Sequence, residues 1–199
     1  MPPTLSVEKQ HIALIGTYLP RQCGIATFTS DLADSLTAEL GGNDAVFALA
    51  IDDLPDGYRY PPRVRFQIRA QIQTDYHLAA DYIASNQANI AILQHEFGIF
   101  GGPCGGHILR LLRDSRVPVL TTMHTVLAEP SIEQRRIVEQ LGRLSDRLVV
   151  MSRRAEQMLQ QIYGIPAERI AFIPHGIHDV PFVDPNYYKD QFKAEGRRL

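Results

Sequence analysis

Ile12-Ala13-Leu14-Ile15-Gly16-Thr17-Tyr18-Leu19-Pro20-Arg21-Gln22-Cys23-Gly24-Ile25-Ala26-Thr27-Phe28 passes from a short apolar run, through a polar turn, into an amphipathic segment. Ile12–Gly16 does not alternate apolar with polar residues. A strand of that kind is covered on both faces, which is the habit of a parallel sheet. From Gly24 to Leu40, Ile25, Phe28, Leu32, Leu36 and Leu40 recur at steps of three and four, predicting a helix with those residues inward. Gly41-Gly42 supplies its stop.

The pattern repeats along the chain. Strands are predicted at Ala45–Ile51, Val64–Ile68, Ile90–Leu93, Pro118–Thr122, Arg147–Met151 and Ile170–Ile173. Helices are predicted at Thr74–Ser85 and His107–Arg113, from Ser131 with Gln134 as its capping-box partner, and at Ser152–Tyr163 before Gly164 and Pro166. A further helix over Asn186–Glu195 follows the cap and first-turn proline at Asp184-Pro185. Strands alternating with helices predict an α/β fold: a Rossmann-like open parallel sheet with helices on both faces. Asp52–Arg63, with Pro55, Gly57, Pro61 and Pro62, has no helical period and reads as an exposed loop, with a hairpin as one way of joining its strands.

Composition narrows the function classes. The 199 residues are 45% apolar and 21% charged, which suits one globular domain. A net charge of −2 gives no basic footprint for nucleic acid. No apolar run is long enough to span a membrane, and Met1-Pro2-Pro3 does not begin a signal peptide, so the expectation is a cytoplasmic protein without an integral membrane segment. Two cysteines, Cys23 and Cys104, are too few for a disulfide scaffold.

Ligands of open parallel sheets bind beyond the carboxyl ends of the strands. Four of the seven histidines, His95, His124, His175 and His178, fall just past predicted strand ends. The loop after the first strand ends at Cys23-Gly24, where a helix N-terminus offers free N–H groups to a phosphate; a plain strand–turn–helix junction remains the other reading. Neither the dinucleotide fingerprint nor the P-loop is present. Cys23 at a helix start could be acidified, or could simply fill a tight turn. The loop after the fourth strand, Gln94-His95-Glu96 and onward, has five glycines in Gly98–Gly106, an entropic cost that suggests a ligand nearby. His124 beside His95-Glu96 supplies a donor and acceptor near neutral pH, suited to sugar hydroxyls or a polarised leaving group. No metal-ligand spacing and no G-x-S-x-G nucleophile turn occurs, so no metal is expected.

Together, Pro20–Thr29, Gln94–Gly102, Thr122-Met123-His124-Thr125, Tyr163–Pro166 and Ile173–Ile177 resemble the N-terminal domain of retaining glycosyltransferases of family 4, with the GT-B fold. The resemblance spans almost the whole chain. It implies two Rossmann-like domains facing a cleft, with residues 1–183 as the acceptor-side domain and 184–199 as a linker toward a donor-binding domain. It implies transfer of a sugar from a nucleotide-diphosphate sugar to a hydroxyl of a carbohydrate or other acceptor, with no cofactor. By the same likeness, Cys23 and Gly24 approach the donor phosphates, and His124 lines the donor-sugar site. Arg21, Thr27, His95, Glu96, Gly101 and Gly102 fall on the acceptor side. The expected partners are the substrates, the C-terminal domain in cis or in trans, and a second copy if an unpaired cleft face drives homodimerisation. Without the second domain the chain is expected to be inactive. A non-catalytic carbohydrate- or partner-binding module of the same fold is the alternative, and a sugar-nucleotide epimerase of this architecture is a third reading.

Overall fold

A computed structural model describes residues 10–40, 42 and 45–177. His178, the helix expected at Asn186–Glu195 and the 183/184 boundary lie outside the described residues.

Among the described residues seven strands form one sheet: β1 (Ile12–Gly16), β2 (Val46–Asp52), β3 (Val64–Arg69), β4 (Ile90–His95), β5 (Val119–Met123), β6 (Arg147–Val150) and β7 (Ile170–Phe172). Among the described residues five α-helices accompany them: α1 (Gly24–Leu40), α2 (Gln73–Ser85), α3 (Ile108–Asp114), α4 (Ile132–Leu144) and α5 (Arg153–Gln161). The strand order is β3-β2-β1-β4-β5-β6-β7, and every pairing is parallel. All residues of β1 and β2 are buried, as their unbroken apolar runs require.

Right-handed crossovers place α1 over one face and α2 to α5 over the other. The cores agree. Tyr76 of α2, Leu111 of α3, Leu141 of α4 and Leu159 of α5 share one apolar cluster. Leu32, Ala33, Leu36 and Leu40 of α1 share another with β1 and β2. Chain direction across the sheet reverses between β1 and β4, and the loops leaving those two strands flank the crevice where such sheets bind ligands.

Three expectations change. First, β2 and β3 do not form a hairpin; Ile51 pairs with Ile68 in parallel register. The connection through residues 53–63 crosses over without a helix. It covers the α1 face itself, with Tyr60 packed on that core and its hydroxyl bonded to the Asp52 carboxylate. Second, β4 runs on through Gln94 and His95, which therefore belong to the sheet and not to the loop after it. Third, the deepest ridge of α1 is Ala26, Thr29 and Ala33, with Ile25, Phe28 and Leu32 only half-buried beside it. Small residues are needed there because the helix comes close to the sheet. A Cβ on Gly16 would stand 3.0 Å from the Gln94 Cβ and 3.4 Å from the Thr29 hydroxyl oxygen.

The predicted capping box at α4 is complete. Ser131 Oγ accepts from the Gln134 amide at 3.2 Å, and Gln134 Oε1 accepts from the Ser131 amide at 2.9 Å.

Candidate functional site

The ends of β1, β4 and β5 bring together residues that are far apart in sequence. Residue pairing sets Gln94 beside Thr122 and His95 beside Met123, so His124 emerges next to the end of β4. The His124 amide donates to the His95 carbonyl at 3.0 Å, which fixes the backbone there. The imidazole Nε2 lies 2.9 Å from Gln94 Oε1. A glutamine carbonyl only accepts, so Nε2 carries the proton and Nδ1 is left as the acceptor. Burial holds the His124 pKa below the ordinary value. The nearby Glu96 carboxylate partly opposes that shift, and His175 reinforces it. His124 is therefore neutral at pH 7.

Glu96 is itself fixed. One carboxylate oxygen accepts from the Phe97 amide at 2.9 Å, and the other accepts from the Thr125 hydroxyl across the β4–β5 divide. Above His124 lies Phe28, in the first turns of α1. Its ring meets His124 edge-on at 4.9 Å and His175 edge-on at 5.4 Å. One aromatic ring thus ties α1 to the ends of β5 and β7.

Cys23 caps α1 through sulfur. Its Sγ lies 3.3 Å from the Ala26 amide and 3.2 Å from the Thr17 hydroxyl, and its carbonyl accepts from the Thr27 amide. Thr27 is exposed, and its hydroxyl turns back on the Cys23 carbonyl at 3.5 Å. A Cβ on Gly24 would meet nothing within 4 Å. Packing therefore does not demand glycine there; its effect is to leave the positive end of α1 uncovered, one turn from Phe28.

The remaining expected site residues sit elsewhere. Arg21 reaches toward β2, where it pairs with Asp53 at 3.1 Å; the Tyr58 hydroxyl donates to the other oxygen of that carboxylate at 2.9 Å. His95 points to the opposite sheet face from Gln94. It is fully buried, stacked on Phe100 at 5.8 Å and edge-on to Phe97 at 5.2 Å. Burial, helped by the His124 charge, pushes its pKa down to about 3. Neither ring nitrogen has a hydrogen-bond partner among the described residues.

Gly101 and Gly102 are turned inward. A Cβ on Gly101 would fall 1.8 Å from the Ala70 carbonyl oxygen, and one on Gly102 would fall 2.5 Å from the His107 ring. Their loop is secured by the Tyr76 hydroxyl, which accepts from the Gly101 amide at 3.1 Å and donates to Ala70 O at 2.8 Å. The two glycines thus answer to close packing.

Sequence reasoning passed over Gln94 and Phe28. Gln94 is fully buried, and its amide nitrogen has no partner among the described residues. A glutamine inside an otherwise apolar strand was the available signal. Phe28 fitted the helical period and so read as core.

Beyond His124 a groove of 570 Å³ opens between the loop after β5 and the start of α5. Its lining includes Met123, Met151, Met158, Ser152, Arg154 and His175. Among the described residues, no cluster of three or more His, Cys, Asp or Glu side chains is placed to hold a metal ion, and no helix is long and apolar enough to cross a membrane. Cys23 and Cys104 are both free thiols.

A family model described as Glycosyltransferase Family 4 matches residues 23–179, well over half of the chain. The chain belongs to glycosyltransferase family 4. The matched stretch contains α1, His124, Glu96 and Gln94, so the candidate site lies within the family-4 match. The structure is also similar to the crystal structure of a glycosyltransferase from Rickettsia africae ESF-5, with a TM-score of 0.60 at 16% identity. That likeness covers 94% of this chain and 50% of the other, so the family-4 chain spans about half its neighbour's length. At this identity the likeness establishes the fold. No curated protein sequence matches the chain.

Proposed function

We propose that this chain is the acceptor-side domain of a retaining glycosyltransferase, moving a sugar from a nucleotide-diphosphate sugar to a hydroxyl acceptor. The observation that carries this reading is His124: neutral, oriented by Gln94, and set beneath the open N-terminus of α1.

In the transfer, the bond from the sugar C1 to the diphosphate oxygen breaks and a bond from C1 to the acceptor oxygen forms. The leaving diphosphate oxygen takes the electron pair of the broken bond, so negative charge collects on it, and it accepts the proton that the acceptor hydroxyl loses. Fixed donors aimed at that charge lower the barrier. The amides of Gly24 and Ile25 make no hydrogen bond among the described residues and lie at the positive end of a 17-residue helix. His124 Nδ1 accepts from a hydroxyl of the transferring sugar and so orients it. The rest of the donor site comes from a second Rossmann-like unit, supplied in cis or in trans; the twofold longer glycosyltransferase neighbour supports that division.

The test is transfer of labelled sugar from a panel of nucleotide sugars, by the 199-residue chain alone and joined to a donor-binding half. The chain alone is expected to give no turnover. The joined protein is expected to transfer with retained configuration, read by NMR of the product. His124→Ala in it should lower kcat about 10²-fold while leaving the fold intact. Turnover by the chain alone, or unchanged kinetics in the His124 variant, would overturn the reading.

A further inference from the structure

The chain has four methionines. Three of them, Met123, Met151 and Met158, line a groove beside His124; Met151 and Met158 are half-buried at its surface, and Met123 is buried in the core beneath it. They come from the end of β5, the end of β6 and the second turn of α5, so no single periodicity gathers them. Leu127 and Ala155 extend the same apolar lining. At 570 Å³ the groove has the size of a small-molecule site, not of a macromolecular interface.

Its chemistry restricts what fits. Apart from the imidazoles of His124 and His175, the lining has no aromatic ring to stack against among the described residues. Flexible thioethers instead follow the shape of a flexible chain. Among the described residues the lining has no carboxylate and one guanidinium, Arg154, which is exposed and makes no salt bridge. The electrostatic complement is a negative or neutral ligand, never a cation. A lining that is apolar over one stretch and cationic at Arg154, and that ends at His124, describes an amphipathic molecule.

We propose that the acceptor of this site is an amphipathic hydroxyl compound, whose alkyl body lies on Met151 and Met158 and whose acidic group faces Arg154. The word acceptor rests on the glycosyltransferase reading above; the binding chemistry rests on the groove alone. Each methylene buried on the methionines adds about fourfold to affinity, so chain length is the sensitive variable.

The full chain labelled with [methyl-13C]methionine gives few signals, and Met1 serves as an internal reference. The probe is octyl glucuronide, held below its micelle concentration. Glucuronate, butyl glucuronide, phenyl glucuronide and octyl glucoside are the comparisons. The methyl signals of Met151 and Met158 are expected to shift saturably with the octyl compounds while Met1 stays still. Butyl glucuronide should bind more than tenfold more weakly. Arg154→Gln should weaken octyl glucuronide about tenfold and leave octyl glucoside unchanged. The groove assignment is overturned if glucuronate moves the same methyls, if phenyl glucuronide binds more tightly than the octyl compound, or if Met1 moves equally. It is also overturned if nothing shifts. Sugar transfer to a hydrophilic acceptor without methyl shifts would keep the glycosyltransferase reading and sink this one. Saturable shifts with no sugar transfer to any hydroxyl acceptor, even by the protein joined to a donor-binding half, would do the reverse.

Discussion

Replacing Gln94 by leucine separates what this residue does for folding from what it does for His124. Gln94 is fully buried and makes one side-chain bond, from His124 Nε2 to its Oε1 at 2.9 Å. Losing a bond of that kind costs about 1 to 1.5 kcal/mol. The same substitution removes an amide nitrogen that has no partner among the described residues, which relieves a desolvation penalty of about 1–3 kcal/mol. Leucine also has nearly the volume of glutamine, so little void or clash follows. The two main effects have opposite sign and similar size, so the net change should lie within about 1–2 kcal/mol of zero. For a domain of this length that keeps Tm within roughly 4–8 °C of the parent. The imidazole, in contrast, loses the acceptor that selects its tautomer. Long-range 1H–15N spectra of His124 at pH 7 should change from one Nε2–H form to a mixture. In the joined enzyme, kcat should fall more than KM rises, because the ring is present but misoriented. A variant in which Tm drops far beyond this range while His124 stays a single tautomer would refute the reasoning. It would mean that Gln94 is a structural residue whose contact with His124 is incidental.

His95→Phe should stabilise the protein at acidic pH, since phenylalanine fits between Phe97 and Phe100 without ring nitrogens to satisfy. His95 is held neutral when folded, with a pKa of about 3, whereas the unfolded chain takes up its proton below about pH 6.5. The unfolded state therefore binds more protons, and stability is lost as pH falls from about 6.5 toward 3. By pH 4.5 the loss is on the order of 2–3 kcal/mol. Urea titrations across that range should show a steeper decline in the parent than in the variant; parallel curves would refute the assignment. Gly101→Ala drives a methyl onto the Ala70 carbonyl, a backbone atom that cannot step aside, and should cost about 3 kcal/mol or more by the same titration. Gly24→Ala meets open space, so it should leave stability nearly unchanged while lowering transfer in the joined enzyme; a loss of stability matching Gly101→Ala would count against an access role for Gly24.

The strands were legible because a parallel sheet buried on both faces leaves unbroken apolar runs, and β1 and β2 are such runs. The capping box of α4 was legible because its two residues lie three apart, so the interaction is local. The β2–β3 connection was misread for a related reason. Loop composition reports the absence of a helix, but it does not report the direction in which the next strand runs. In the structure the Tyr60 hydroxyl bonds Asp52 and its ring packs on the α1-side core, holding residues 53–63 over that face. Phe28 fitted the period of α1 as well as any core residue does. Its true position follows from Gly16 and Thr29, which draw the helix in on its small-residue ridge and turn Phe28 toward His124 and His175.

The glycine loop after β4 shows why the candidate site was only half readable. Five glycines in Gly98–Gly106 looked like accommodation of a ligand, because so much chain entropy needs a return. Gly101 and Gly102 find that return in the Ala70 carbonyl and the His107 ring, which sit where Cβ atoms would be. Gly105 has a positive φ of 76° beside the Phe97 carbonyl. These are packing demands, and they serve the site at one remove. By holding Phe97 and Phe100 around His95, the loop secures the end of β4. The end of β4 in turn presents Gln94 and Glu96 to the residues leaving β5. Rigidity at that strand end is what a neutral histidine needs if it is to meet a substrate in one orientation. The entropy cost of Gly101, Gly102 and Gly105 is thus met by packing that supports the end of β4.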